Sequence, residues 1–168
     1  MRFYGIETVN KKTKYFNKYY ANENGLNSRL DEIQSTILNI KLKKVDGYLR
    51  KRIKLAKIYL NHLKNTKIIL PITNKFNKHV YHLFTIQHPK RNRIIEVLKN
   101  MKIQTRTIYP YTIHKMKAYR SICKYSSELK NSENFSKNIF SLPLYPELKE
   151  SEVRLICDKL KKILIKIN

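Results

Sequence analysis

Cysteine is scarce in this chain of 168 residues: Cys123 and Cys157 are its two thiols. Neither belongs to a CxxC pair, and no histidine flanks them at the spacing of a metal-ligand set. That excludes a disulfide framework and a zinc site, and it fits a reducing compartment. Cys157 lies among Leu155, Ile156 and Leu160, the setting of a buried core thiol. No apolar run is long enough to span a bilayer, and Met1-Arg2-Phe3-Tyr4-Gly5 has no hydrophobic signal core. A soluble, cytoplasmic protein without a membrane partner is the expectation. Acidic residues are also few: 12 Asp and Glu against 36 Lys and Arg leave a net charge of +24. Such a charge raises nucleic acid or an anionic surface as partners. The positive charge is mostly lysine, however, and it is scattered along the chain. No run of five basic residues and no aromatic-basic RNP-like string occurs. With Asn and Ile abundant beside the lysines, compositional drift explains the charge better than a binding face, so no nucleic-acid partner is expected.

What is present is enough for one packed core. Hydrophobic residues make up 42% and charged residues 29% of the chain, which excludes compositional disorder. Residues 1–26 show little periodicity, but Tyr15, Phe16, Tyr19 and Tyr20 crowd one stretch that should pack against something. Gly25 to Glu32 reads as a helix start, with Ser28 able to cap and the acidic Asp31 and Glu32 matched to the helix dipole. Leu30, Ile33, Ile37 and Ile40, then Leu42, Val45 and Leu49, keep helical spacing. The pattern resumes at Ile53, Ala56, Leu60 and Leu63, so one long helix, or two with a break at Asp46-Gly47, ends near Asn65.

Beyond the Leu70-Pro71 loop, Val80 to Gln87 predicts a strand and Asn92 to Met101 a short amphipathic helix. Alternation over Ile103 to Ile108 predicts a second strand, and His114 to Tyr119 a helical turn. Residues 124–134 read as a polar loop. Phe140 to Leu144 carries Pro143 and is an edge strand at best. Ser151 to Lys166 is a closing amphipathic helix. This order is an α+β arrangement, a small sheet with helices on one face.

The stretch Asn27-Ser28-Arg29-Leu30-Asp31-Glu32-Ile33-Gln34 is similar to the Asn-x-Arg-Leu-Asp-Glu-Ile-Gln segment of DegT/DnrJ/EryC1/StrS sugar aminotransferases. The resemblance continues through Lys41-Leu42, Asp46, His79-Val80-Tyr81-His82-Leu83-Phe84 and Tyr109-Pro110-Tyr111-Thr112-Ile113-His114. It runs on through Ala118-Tyr119 and ends at Phe140-Ser141-Leu142-Pro143-Leu144-Tyr145-Pro146. Each block is weak alone; their shared order and spacing make the signal specific. Arg2-Phe3-Tyr4-Gly5 resembles the Arg-x-x-Gly segment after the lysine strand of the family. With Tyr109-Pro110 and Ile113-His114 it looks most like the branch that aminates C3 of a dTDP-linked 3-keto-6-deoxyhexose. Ile108 stands where many relatives have His, which puts a substrate contact there in doubt.

The resemblance implies a fold-type-I, pyridoxal 5'-phosphate-dependent homodimer with sites at the subunit interface. Residues 1–27 would be the tail of the large cofactor-binding domain, 28–66 a connecting helix, and 67–168 the small C-terminal domain with a mostly antiparallel sheet flanked by helices. It implies an amino-acid donor such as glutamate and a nucleotide-linked keto-sugar, whose phosphates suit some positive charge. The Schiff-base lysine lies upstream of Arg2 in the family's pattern, as do the acidic partner of the pyridinium nitrogen and the ring-stacking residue. Without an amine nucleophile and that carboxylate neither half-reaction proceeds usefully. No catalytic residue is therefore expected within the chain, which by itself would be inactive unless a partner chain supplies the large domain.

Asn27 and Arg29, at a helix start, would reach the cofactor phosphate of the neighbouring subunit, against plain capping and a surface arginine. Asp31 and Glu32 are dipole partners rather than an acid/base pair. Tyr109 and His114 border the sugar-nucleotide pocket in the resemblance and stand evenly between substrate contact and a structural role. His82 reads as a structural strand residue, His62 and His88 as surface, and Tyr81, Phe84 and Tyr145 as core. Two other functions compete: a small basic nucleic-acid-binding protein, supported by charge alone, and a non-catalytic interaction module, favoured if the 15–20 aromatics are exposed.

Overall fold

The computed structural model describes residues 30–117, 119 and 129–167. Asn27, Ser28, Arg29, Cys123 and the aromatics between positions 15 and 20 lie outside the described residues. The chain divides into two compact units, Met1–Val45 and Asp46–Asn168.

In the first unit the described element is α1, Glu32–Leu42. Asp31 is its N-cap, and its carboxylate accepts from the Ile33 amide at 2.8 Å. The apolar positions Ile33, Ile37, Ile40 and Leu42 are all exposed. Helix α2 spans Val45–Leu63. The break between the helices falls at Lys43-Lys44 and not at Gly47, which lies in the first turn of α2 with open space around it.

The second unit continues with β1 (Phe84–Gln87), α3 (Arg91–Asn100), a 3-10 turn (Ile113–Lys115), α4 (Lys130–Asn138), β2 (Ile139–Leu142) and α5 (Glu150–Ile167). β1 and β2 run antiparallel, with Phe84 opposite Leu142 and Ile86 opposite Phe140. All four side chains are buried in the core. The other face of the same ladder is polar, where the Thr85 and Ser141 hydroxyls share a hydrogen bond of 2.9 Å. The strand expected from Val80 shortens to four residues, because Tyr81 sits at φ 49°, outside extended backbone. Pro143 ends β2, an edge of the two-stranded sheet as expected, on whose outer side Ser141 alone exchanges backbone bonds with Arg106 at 2.7 and 3.2 Å. That pair is all that forms of the strand expected over Ile103 to Ile108.

Tyr59 of α2 is fully buried, stacks on Phe84 at 4.7 Å between centroids, and donates its hydroxyl to the Pro143 carbonyl at 3.0 Å. Val153, Cys157 and Leu160 bring α5 into the same core, and Ile94 and Leu98 bring α3. Tyr81 and Phe84 are core residues as expected, whereas Tyr145 is exposed, because it follows the proline that ends β2. His88 is buried rather than on the surface: it follows β1, and its Nδ1 accepts from the Lys90 amide at 3.1 Å. Burial first, then Lys90 and Lys67, hold its pKa below the ordinary histidine value. His82 is exposed and precedes β1.

Candidate functional site

Two features of the second unit gather functional groups. The first is a cleft of about 780 Å³ lined by Arg52, His82, Lys102, Arg106, Ile108, Tyr145, Glu152 and Lys159 among others. Its lining carries four Lys and Arg cations and a single carboxylate, a balance that favours an anion. The Arg52 Nη1 is already committed. It donates to the carbonyls of Tyr81 and His82 at 3.1 Å and of Leu144 at 3.0 Å, tying α2 to the approach of β1 and the exit of β2. Arg52 therefore shapes the wall of the cleft, and Lys102, Arg106 and Lys159 are the other cations of its lining.

The second feature is the segment from Arg106 to Lys115. It leaves the Arg106–Ser141 bridge, passes Ile108 on the cleft wall, and turns at Tyr109, whose φ is 59°. A left-handed backbone at a residue with a Cβ costs on the order of 1 kcal/mol, so the surroundings must hold it. The Tyr109 and Tyr111 rings are 80% and 73% exposed. His114 is 7% exposed, and its Nε2 lies 3.1 Å from Glu133 Oε1 on α4. Lys115 Nζ meets the other oxygen, Glu133 Oε2. These two bonds, Lys115 first, hold the Glu133 carboxyl below the usual carboxylate range.

The segment thus brings Tyr109 and His114 onto one loop, with Tyr109 turned to solvent and His114 turned inward. Neither lines the cleft, which meets the loop at Ile108. Arg52 and Glu133 had no motif to mark them. Arg52 sits within Arg50-Lys51-Arg52, and Glu133 in a polar stretch, where a surface charge is the ordinary reading. Among the described residues no group of three or more His, Cys, Asp or Glu could hold a metal ion.

A family model described as the DegT/DnrJ/EryC1/StrS aminotransferase family matches residues 1–161. The chain is 36% identical over 145 residues to the dTDP-3-amino-3,6-dideoxy-alpha-D-galactopyranose transaminase of Aneurinibacillus thermoaerophilus, covering 86% of this chain and 39% of that protein. It is 34% identical over 154 residues to the dTDP-3-amino-3,4,6-trideoxy-alpha-D-glucose transaminase of Micromonospora megalomicea subsp. nigra, covering 88% and 39%. Among solved structures, S. venezuelae DesV superposes with a TM-score of 0.82 at 32% identity, over 88% of this chain and 40% of that one. The chain spans about two fifths of the length of the curated relatives it matches, 39% in each case.

Proposed function

The chain belongs to the DegT/DnrJ/EryC1/StrS aminotransferase family, and from that membership we propose that it forms the C-terminal portion of a cytoplasmic nucleotide-sugar aminotransferase. The reaction moves an amino group from an amino acid such as glutamate to a dTDP-linked keto-6-deoxyhexose. The observation that carries this reading is the family match across residues 1–161, together with relatives at 34–36% identity that are dTDP-aminosugar transaminases. In this reading residues 1–27 end the large domain, 28–66 connect, and 67–168 form the small domain.

Bound pyridoxal 5'-phosphate supplies the electron sink for amino transfer. Asn27 and Arg29 are the proposed phosphate partners: a guanidinium and an amide beside a helix start suit a phosphate. Their positions lie outside the described residues, so no step is derived through them. Tyr109 is the proposed direct contact to the sugar nucleotide, since its ring is free of the core. His114 is the second proposed residue, on the same loop but turned inward and outside the lining of the cleft. The cations of the cleft, Lys102, Arg106 and Lys159, suit the diphosphate of such a substrate. The Schiff-base lysine is supplied by polypeptide outside these 168 residues, so activity requires the large domain and, as in a homodimer, a second copy.

The reading is tested by co-expressing the tagged chain with the large-domain portion of a relative that this chain's match leaves uncovered. Co-purification with bound pyridoxal phosphate, seen by its absorbance and lost on Arg29→Ala, is the expected result. Failure of the two portions to associate, or association without cofactor, contradicts it.

A further inference from the structure

The loop bearing Tyr109 poses a mechanical problem. Its backbone holds a left-handed tyrosine whose ring, 80% exposed, receives little support from packing. What keeps such a turn in one geometry must act at its two ends. One end is fixed by the paired backbone bonds of Arg106 with Ser141. The other is the 3-10 turn Ile113–Lys115, a short element with poor hydrogen-bond geometry of its own.

We propose that Glu133 is a positioning residue for this loop: its carboxylate grips His114 and Lys115 together, docks the 3-10 turn on α4, and so fixes where Tyr109 stands. The inference rests on the reading of Tyr109 as a substrate contact. Each oxygen of one carboxylate serves a different residue of the same turn, Oε1 the buried His114 and Oε2 the exposed Lys115. Charge-assisted bonds of this kind are stronger than neutral ones. The anchor is itself anchored. Arg91 Nη1 of α3 donates to the Ser136 carbonyl at 2.6 Å and to the Ile139 carbonyl at 3.3 Å, holding the end of α4. A chain of polar contacts therefore runs from α3 through α4 and Glu133 to the turn. Glu133 does not line the cleft, and both its oxygens are engaged, so it acts through the loop and not on substrate.

The test is hydrogen exchange, read by mass spectrometry, on the full 168-residue chain. In Glu133→Gln, amides of the peptide covering Tyr109 to Met116 exchange about tenfold faster or more, the scale of losing bonds to a charged group. Exchange in α5 stays as it was. Glu96→Gln, which breaks an exposed pair with Arg93 on α3, leaves the peptide unchanged. Should Glu133→Gln fail to fold, Lys115→Met removes the exposed arm and loosens the same peptide to a smaller extent. Unchanged exchange in both variants overturns the proposal. In the reconstituted enzyme, Glu133→Gln raises KM for the keto-sugar nucleotide about tenfold and leaves kcat within about twofold, since it removes binding geometry and not chemistry. A fall in kcat with KM unchanged overturns the positioning role. If the wild-type complex turns nothing over, the proposed function fails, while the exchange experiment still decides the grip of Glu133.

Discussion

Individual side chains show where chemical logic reaches past sequence pattern. Arg52 donates to three carbonyls from two parts of the chain, Tyr81-His82 and Leu144, neither of them near it in sequence. Replacing it by Met strands those acceptors, and the expected loss is about 2–4 kcal/mol in urea denaturation, with Lys restoring part of it. Cys157 lay legibly in an apolar stretch, and burial pushes its thiol up to about 12. In a Cys123→Ser background it should resist a disulfide reagent in the folded chain and react at once in denaturant; rapid reaction in buffer contradicts its burial. His88 is buried although a histidine beside Pro89 at a strand end has the look of a surface residue. Its lowered pKa means that the unfolded chain takes up a proton that the folded chain resists. The stability it permits is therefore complete above the unfolded value and falls as acid is added. The urea midpoint should drop as pH falls through the ordinary histidine value of about 6.5 and below, and drop less in His88→Asn. Glu133 has the same sense at lower pH: its contribution is present above the unfolded carboxylate value and is lost as pH falls through its lowered folded value.

At the scale of elements, periodicity carried the strongly amphipathic pieces. α2, α3 and α5 bury the residues their spacing marks, such as Leu63, Leu98 and Leu160. It failed where tertiary contacts decide. α4, Lys-Asn-Ser-Glu-Asn-Phe-Ser-Lys-Asn, has no apolar stripe and reads in part as the polar loop 124–134, yet Arg91 holds its carbonyls from outside. The alternation over Ile103 to Ile108 is strand-like, but β2 offers it one pairing position, at Ser141. Gly47 suggested a break because glycine costs helix stability; the chain instead keeps it in the first turn of α2, with nothing within 4 Å of an added Cβ. Gly47→Ala should then stabilise by about 0.5–1 kcal/mol, seen as a raised Tm, and a lowered Tm would show that the position is not freely helical. α1 has helical spacing without burial: Ile33 is 73% exposed. If a large domain covers that face, Ile33→Lys with Ile37→Lys should weaken co-purification with it about tenfold or more, since each buried Ile contributes about 1.5–3 kcal/mol. Unchanged association would place the large domain elsewhere.

For the molecule as a whole, ordered motif blocks said more than composition did. The net charge of +24 is the most conspicuous feature of the chain, yet every described helix carries at least one lysine, from Lys41 on α1 to Lys166 on α5. No described helix is long and apolar enough to cross a membrane. The family was legible because the blocks from Asn27 to Pro146 keep their order. The grip of Glu133 on the turn was not, because it joins residues 18 and 19 positions apart through a contact that only the fold creates. In the function proposed above, these residues complete a sugar aminotransferase. The most direct measurement incubates the chain, joined with a large-domain portion and pyridoxal phosphate, with glutamate and a dTDP-linked 3-keto-6-deoxyhexose, and follows the nucleotide sugar by mass spectrometry. An amino sugar product that requires both portions and declines in Tyr109→Ala is the expected result. A complex that is folded and loaded with cofactor but leaves the keto-sugar unchanged, with glutamate unconsumed, would contradict it.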